Sequence, residues 1–90
     1  MASSKKAAIE DLVLEATAND FESLASIVPD IEKWASTEKF EVSAEDVANA
    51  IEELVQRGKL RVYRFSKTEN RYEAANFNRK DIGDLWFCNK

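Results

Sequence analysis

The sequence predicts an α+β fold: three helices followed by two to three short antiparallel strands. Three observations carry this. Apolar residues recur at helical spacing through most of residues 5–56. Ser43 and Gly58 bracket the most regular of these stretches as start and stop signals. From Leu60 onward the chain turns β-branched and aromatic, with period two. Ninety residues make one domain, 1–90, with its core expected over about 5–88. A chain of this size buries roughly 60–65% of its unfolded surface, enough to fold alone with modest stability. Two Gly and one Pro leave little for loops.

The first helix is expected from about Ser4 to Ala18, capped by Ser3 or Ser4, with Ile9, Leu12, Val13 and Ala16 inward. Leu14 falls off that stripe; it either faces a partner or is an isolated exposed leucine. Asn19 and Glu22 make a capping-box-like start for a second helix. Its apolar side holds Phe21, Leu24, Ala25, Val28, Ile31 and Ala35, with Ile27 and Trp34 at the border. Pro29 removes a helical donor and clashes with the preceding turn, so a kink or two short helices is expected near Val28. Lys39 to Val42 alternates polar and apolar, a short strand or an extended loop.

Ser43 caps the third helix, with Asp46 at the capping-box position and Val42 and Val47 placed as a hydrophobic staple. Val47, Ala48, Ile51, Leu54 and Val55 form its inner stripe, and Gly58 is the expected left-handed stop. A strand at Leu60 to Phe65, a turn at Ser66 to Asn70 and a returning strand at Arg71 to Phe77 follow. Arg79 to Asp84 suits a helical turn, and Leu85-Trp86-Phe87 a last strand.

The run from Ser43 to Tyr63 resembles the winged helix-turn-helix superfamily. It carries Ala50-Ile51-Glu52-Glu53-Leu54, then Arg57-Gly58, then the strand from Leu60. The resemblance, over roughly residues 5 to 88, is to small single-domain bacterial members. It implies a three-helix bundle with a C-terminal β-wing, and a fold of this kind does not fix function. Two departures stand out. The segment Ser36 to Val42 is longer than the usual turn. The third helix turns Glu45, Asp46, Asn49, Glu52, Glu53 and Gln56 outward. Carboxylates there would be repelled by DNA phosphates in a major groove.

Charge points to a contact surface elsewhere. The net charge is −4 and the pI about 4.8. Residues 1–56 carry four bases and thirteen acids, whereas residues 57–90 carry nine bases and four acids, a balance of −9 against +5. Arg57, Lys59, Arg61, Arg64, Lys67 and Arg71, interleaved with Tyr63, Phe65 and Tyr72, are the candidate contact residues. On a wing they suit DNA phosphates, as in a transcription-regulator-like domain. Strand alternation puts Arg61, Tyr63 and Phe65 on one face and Val62 and Arg64 on the other, so the bases do not all point one way. The plainer alternative is a solvated wing balancing the acids of the third helix. The same pattern suits an acidic protein partner, an adaptor role or a homodimer.

Catalysis finds little in the sequence. There is no histidine, one cysteine and no glycine-rich phosphate loop. Asp81 and Asp84 do not match a calcium loop. No cofactor or metal is therefore expected, and the chain is read as non-catalytic. Trp34, Trp86 and Phe87 are expected in the core, and Cys88 as a semi-buried filler. The lone Cys88 fits a reducing compartment, and Leu12-Val13-Leu14 is too short for a signal or membrane segment, so a cytoplasmic protein is expected.

Overall fold

In the computed structural model, which describes residues 5–89, the backbone forms three α-helices, one 3-10 helix and four antiparallel strands. They run α1 (Lys5–Ala16), β1 (Glu22–Ser23), α2 (Leu24–Glu38), α3 (Ala44–Gln56), β2 (Arg61–Ser66), β3 (Arg71–Ala74), the 3-10 helix (Arg79–Asp84) and β4 (Trp86–Cys88). The sheet order is β1-β4-β2-β3. The cap expected at Ser3 or Ser4 lies outside the described residues.

Local signals define α3 as expected. Ser43 Oγ accepts the Asp46 N–H at 3.1 Å, and the Asp46 carboxylate accepts the Ser43 N–H at 3.1 Å. Val47 is buried in the core, against which Val42 packs. At the far end Gly58 takes φ 72°, where any side chain would be strained. Its N–H donates to the Val55 carbonyl at 3.0 Å and the Lys59 N–H to the Leu54 carbonyl at 2.9 Å. These are the paired bonds of a Schellman stop. Helix α2 ends the same way, with the Phe40 N–H donating to Ala35. There, however, a lysine, Lys39, holds the left-handed position at φ 61°.

The beginning of α2 differs from the expectation. Asn19 and Glu22 do not open it. Glu22 and Ser23 instead form β1, pairing with Phe87 and Trp86. The cap is Ser23, in a reciprocal box with Ser26. Local pattern cannot show this, because β1 exists only through a strand more than sixty residues away. Pro29 does not divide α2, which runs through it. The lost bond is the one to Ala25, an exposed position near the helix start. Burial of Ile27, Ile31 and Ala35 holds the helix on either side. That stripe is rotated from the one expected: Ile27 lies at its centre and Ala25 faces solvent. Residues 39–42 are a loop, not a strand, and it begins at the left-handed Lys39.

The core joins Ile9 and Val13 of α1, Ile27 and Ile31 of α2, and Val47, Ile51 and Leu54 of α3 to Val62, Leu85 and Phe87 of the sheet side. Thr17, just past α1, continues the Ile9–Val13 stripe and is fully buried. Its hydroxyl donates to the Val13 carbonyl at 2.8 Å, so burial leaves no polar atom unpaired. Leu14 is half-buried against the same core. Phe87 is fully buried, whereas Trp34 and Trp86 are only half-buried, and Cys88 is more deeply buried than expected. The returning strand stops at Ala74, short of the expected Phe77.

Two consequences for stability follow. Replacing Ser43 by Ala should cost about 1 kcal/mol, read as a lower denaturation midpoint. The Ser43 backbone N–H, and with it the Lys5 ammonium, holds the Asp46 carboxyl below the usual aspartate value, against a partial desolvation that pushes the other way. A depressed folded-state value stabilises the fold above the unfolded-state pKa of about 3.9 and ceases to do so as pH falls through the folded value. The stability gap between wild type and Asp46→Asn should therefore be full at neutral pH and shrink below about pH 4. A gap unchanged down to about pH 2 would contradict the assignment.

Lys39→Gly should stabilise the domain by up to about 1 kcal/mol. Left-handed backbone costs an L-residue roughly 1–2 kcal/mol, which the extra unfolded-state freedom of glycine only partly offsets. A lower melting midpoint for this variant would show that the Lys39 side chain contributes more than its backbone costs.

Candidate functional site

The six bases singled out from the sequence do not form one patch. Arg57, the residue that ends α3, reaches back to α1 and pairs with Glu10. The second Glu10 oxygen, Oε2, is buried without a hydrogen-bond partner. Arg64 pairs with Asp81 of the 3-10 helix at 3.0 Å. Arg71 pairs with Glu73, two residues along its own strand, at 3.5 Å. Among the described residues Lys59, Arg61 and Lys67 make no ion pair, and all three are exposed.

These three free bases open onto two clefts. Lys59 and Arg61 line one of about 320 Å³ with Leu14, Gly58 and Asn89. The Asn89 side-chain amide donates to the Leu14 carbonyl at 2.9 Å and fixes the chain at that rim. Lys67 lines a second cleft of about 430 Å³ with Arg64, Phe65, Gly83, Asp84 and Trp86. The register explains the separation. Val62 faces Phe87 across the β2–β4 pair and is buried, so its neighbours Arg61 and Tyr63 point outward.

The outward face of the sheet is aromatic. Phe65 stands opposite Tyr72, and Tyr63 opposite Trp86. The Phe65 and Tyr72 rings meet edge to face at 5.1 Å, and Tyr72 and Trp86 at 5.3 Å. Phe21, from the segment leading into β1, stacks on Tyr72 at 4.0 Å and meets Tyr63 edge-on at 4.8 Å. Phe21 thus covers the middle of the cluster. Phe65 stays 40% exposed at its edge. A second aromatic pair lies elsewhere: Trp34 stacks on Phe40 at 5.4 Å, and Phe40 is 44% exposed.

The acidic face of α3 is also different from its appearance in sequence. All four of its carboxylates are engaged. Lys5 pairs with Asp46 at 3.3 Å and Lys6 with Glu53 at 3.5 Å. Arg79 bridges Glu52 at 2.7 Å and Glu45 at 3.0 Å. Three bases against four acids leave that face close to neutral. Arg79 is the residue that sequence reasoning missed. It lies 27 and 34 residues from its partners, and only the sheet and the 3-10 helix bring it there.

Among the described residues no group of three or more His, Cys, Asp or Glu side chains could hold a metal ion. No helix is long and apolar enough to cross a membrane.

The Arg79 bridge makes a testable statement. Arg79 and Glu52 are each about one-third exposed and Glu45 is 72% exposed, and pairs of this kind contribute roughly 0.2–1 kcal/mol. Arg79→Ala should lower stability by about that amount, and the loss should diminish as salt is raised. A loss of several kcal/mol that salt does not change would mean that the Arg79 side chain acts through packing instead.

Comparison with protein-family models, with curated proteins and with solved structures finds no match for this chain.

Proposed function

We propose that the chain is a non-catalytic binding module on a winged-helix scaffold, and that it contacts nucleic acid through the bases of its wing. The scaffold reading is supported by the element order, helix, short strand, helix, helix, hairpin, 3-10 helix and strand, with β4 returning between β1 and β2. The wing is then the β2–β3 hairpin, and the 3-10 helix connects it to the last strand.

One observation carries the contact reading. Seven ion pairs engage Lys5, Lys6, Arg57, Arg64, Arg71 and Arg79, and the wing bases Lys59, Arg61 and Lys67 are left without carboxylate partners among the described residues. An unpaired exposed base costs little to bring to a phosphate, whereas a paired one must first give up its partner. The third helix suits a major groove poorly. Its outward carboxylates are partnered, so repulsion is milder than the sequence implies. Even so, Asn49 and Gln56 are the only uncharged amides the sequence turns outward there, and a groove-entering helix needs base donors aimed at base edges.

A protein partner is the second reading, and the exposed Phe40, stacked on the half-buried Trp34, favours it. Light scattering at high protein concentration tests its homodimer form; a clean monomer excludes it.

The primary test is fluorescence anisotropy with labelled DNA at about 50 and 200 mM salt. Three phosphate contacts give a fall in affinity of roughly tenfold or more across that range. Changing Lys59, Arg61 and Lys67 together to Ala should abolish most of the binding and flatten the salt dependence. Affinity that survives the triple change would place the contact elsewhere, and no binding at the lower salt would remove the reading altogether.

A further inference from the structure

We infer that the ligand of the wing is a single strand of nucleic acid, held by a base stacked at Phe65 and Trp86 and by phosphates on Lys67 and Arg61. This rests on the wing reading above and goes further by naming the form of the partner. Phe65 is one of two large apolar side chains exposed to this degree among the described residues. It sits on β2 between Arg64 and Lys67 in sequence, and on the same outward face as Arg61. Arg61 and Phe65 are four residues apart on that strand, about 13 Å.

The cleft beside it combines the two features such a ligand needs. Phe65 and Trp86 supply aromatic walls and Lys67 supplies unpaired positive charge, around about 430 Å³ of open space, while Arg64 at the same cleft is held by Asp81. That volume admits a planar base with room to spare. The central rings of the sheet face are not available for stacking, because Phe21 lies across Tyr72 and against Tyr63. The stacking surface is therefore the edge of the cluster, where Phe65 is exposed.

The partner must present flat π-surfaces and regularly spaced negative charge together. A duplex presents the charge but hides the base faces in its stack, so Phe65 and Trp86 would gain nothing from it. A single strand offers both. Asp84, at the rim of the same cleft, is the one carboxylate that opposes it.

The experiment compares twelve-nucleotide oligo-dT, oligo-U and a duplex of equal length by anisotropy at about 50 mM salt, for the full chain and three variants. The single strands should bind about tenfold or more tightly than the duplex. Phe65→Ala and Phe65→Leu should each weaken single-strand binding by about tenfold and leave duplex binding unchanged. The leucine keeps apolar surface without a ring, and circular dichroism confirms that both variants fold. Asp84→Asn should tighten binding to single strands. The dT and U arms separate DNA from RNA, and a preference for either supports the inference. Equal affinity for single strand and duplex, with no effect of Phe65, overturns the inference and leaves the wing reading standing. Absence of binding to all three probes overturns both. A dimer in light scattering that Phe65→Ala converts to monomer also overturns it, because the ring then belongs to an interface between copies of the chain.

Discussion

Phe87 is where the two halves of the chain are joined. Its ring is fully buried on the inner face of the sheet, opposite Val62. Its strand is paired on both sides, to β1 through Glu22 and Ser23 and to β2 through Arg61, Val62 and Tyr63. One residue further on, the Asn89 N–H donates to the Thr17 carbonyl at 2.9 Å, which fastens the end of the chain to the end of α1. Without β4, the two residues of β1 would have no ladder, and α2 would lose the strand that sets its entry. A buried ring of this size is worth about 3–5 kcal/mol, against a total stability of roughly 5–13 kcal/mol for ninety residues. The position of the hairpin relative to the helices thus depends on one late, non-local insertion.

Ion pairs act on a smaller scale and decide a different matter. Most join exposed side chains, so each contributes little to stability. Their consequence lies in which charges they leave over. Arg57 with Glu10, and Arg79 with Glu45 and Glu52, join the acidic first part of the chain to the basic second part. Much of the −9 against +5 imbalance is therefore complementarity within the molecule and not a surface awaiting a partner. What remains without an ion pair among the described residues of the basic part is Lys59, Arg61 and Lys67 around the hairpin, and Lys80 in the 3-10 helix.

Elements with a self-contained signal are legible in the sequence. Helix α3 carries its own start in Ser43 and Asp46 and its own stop in Gly58, and all three act as their positions imply. The hairpin turn is marked by the change from Tyr and Phe to Lys, Thr and Asn, and β2 is displaced from its expected limits by one residue. The illegible features share a dependence on distant partners. β1 needs β4, Arg79 needs α3, and the continuity of α2 through Pro29 needs the packing of Ile27 and Ile31. Thr17 reads as a helix-ending polar residue, yet it is buried because its hydroxyl finds a carbonyl one turn back. Of the six candidate bases, three lose their candidacy for the same reason: Arg57, Arg64 and Arg71 meet carboxylates that only the folded chain brings to them, or that a strand places two residues away.

The acidic remainder of the surface bears on the proposed contact as well. A duplex is a stiff rod with phosphates on two strands, and a protein of net charge −4 that touches it with a hairpin brings its other, acidic surfaces near the same field. A single strand is flexible and follows only the path it is bound to. In the proposed contact, three bases within nine residues (Lys59, Arg61 and Lys67) would hold it, while the carboxylates elsewhere would be held off by distance and screened beyond about 10 Å at 0.1 M salt. The same acidity that would disfavour a duplex is thus compatible with the short, local grip on an unpaired strand proposed above, and charge placement would favour the single strand before any base is read.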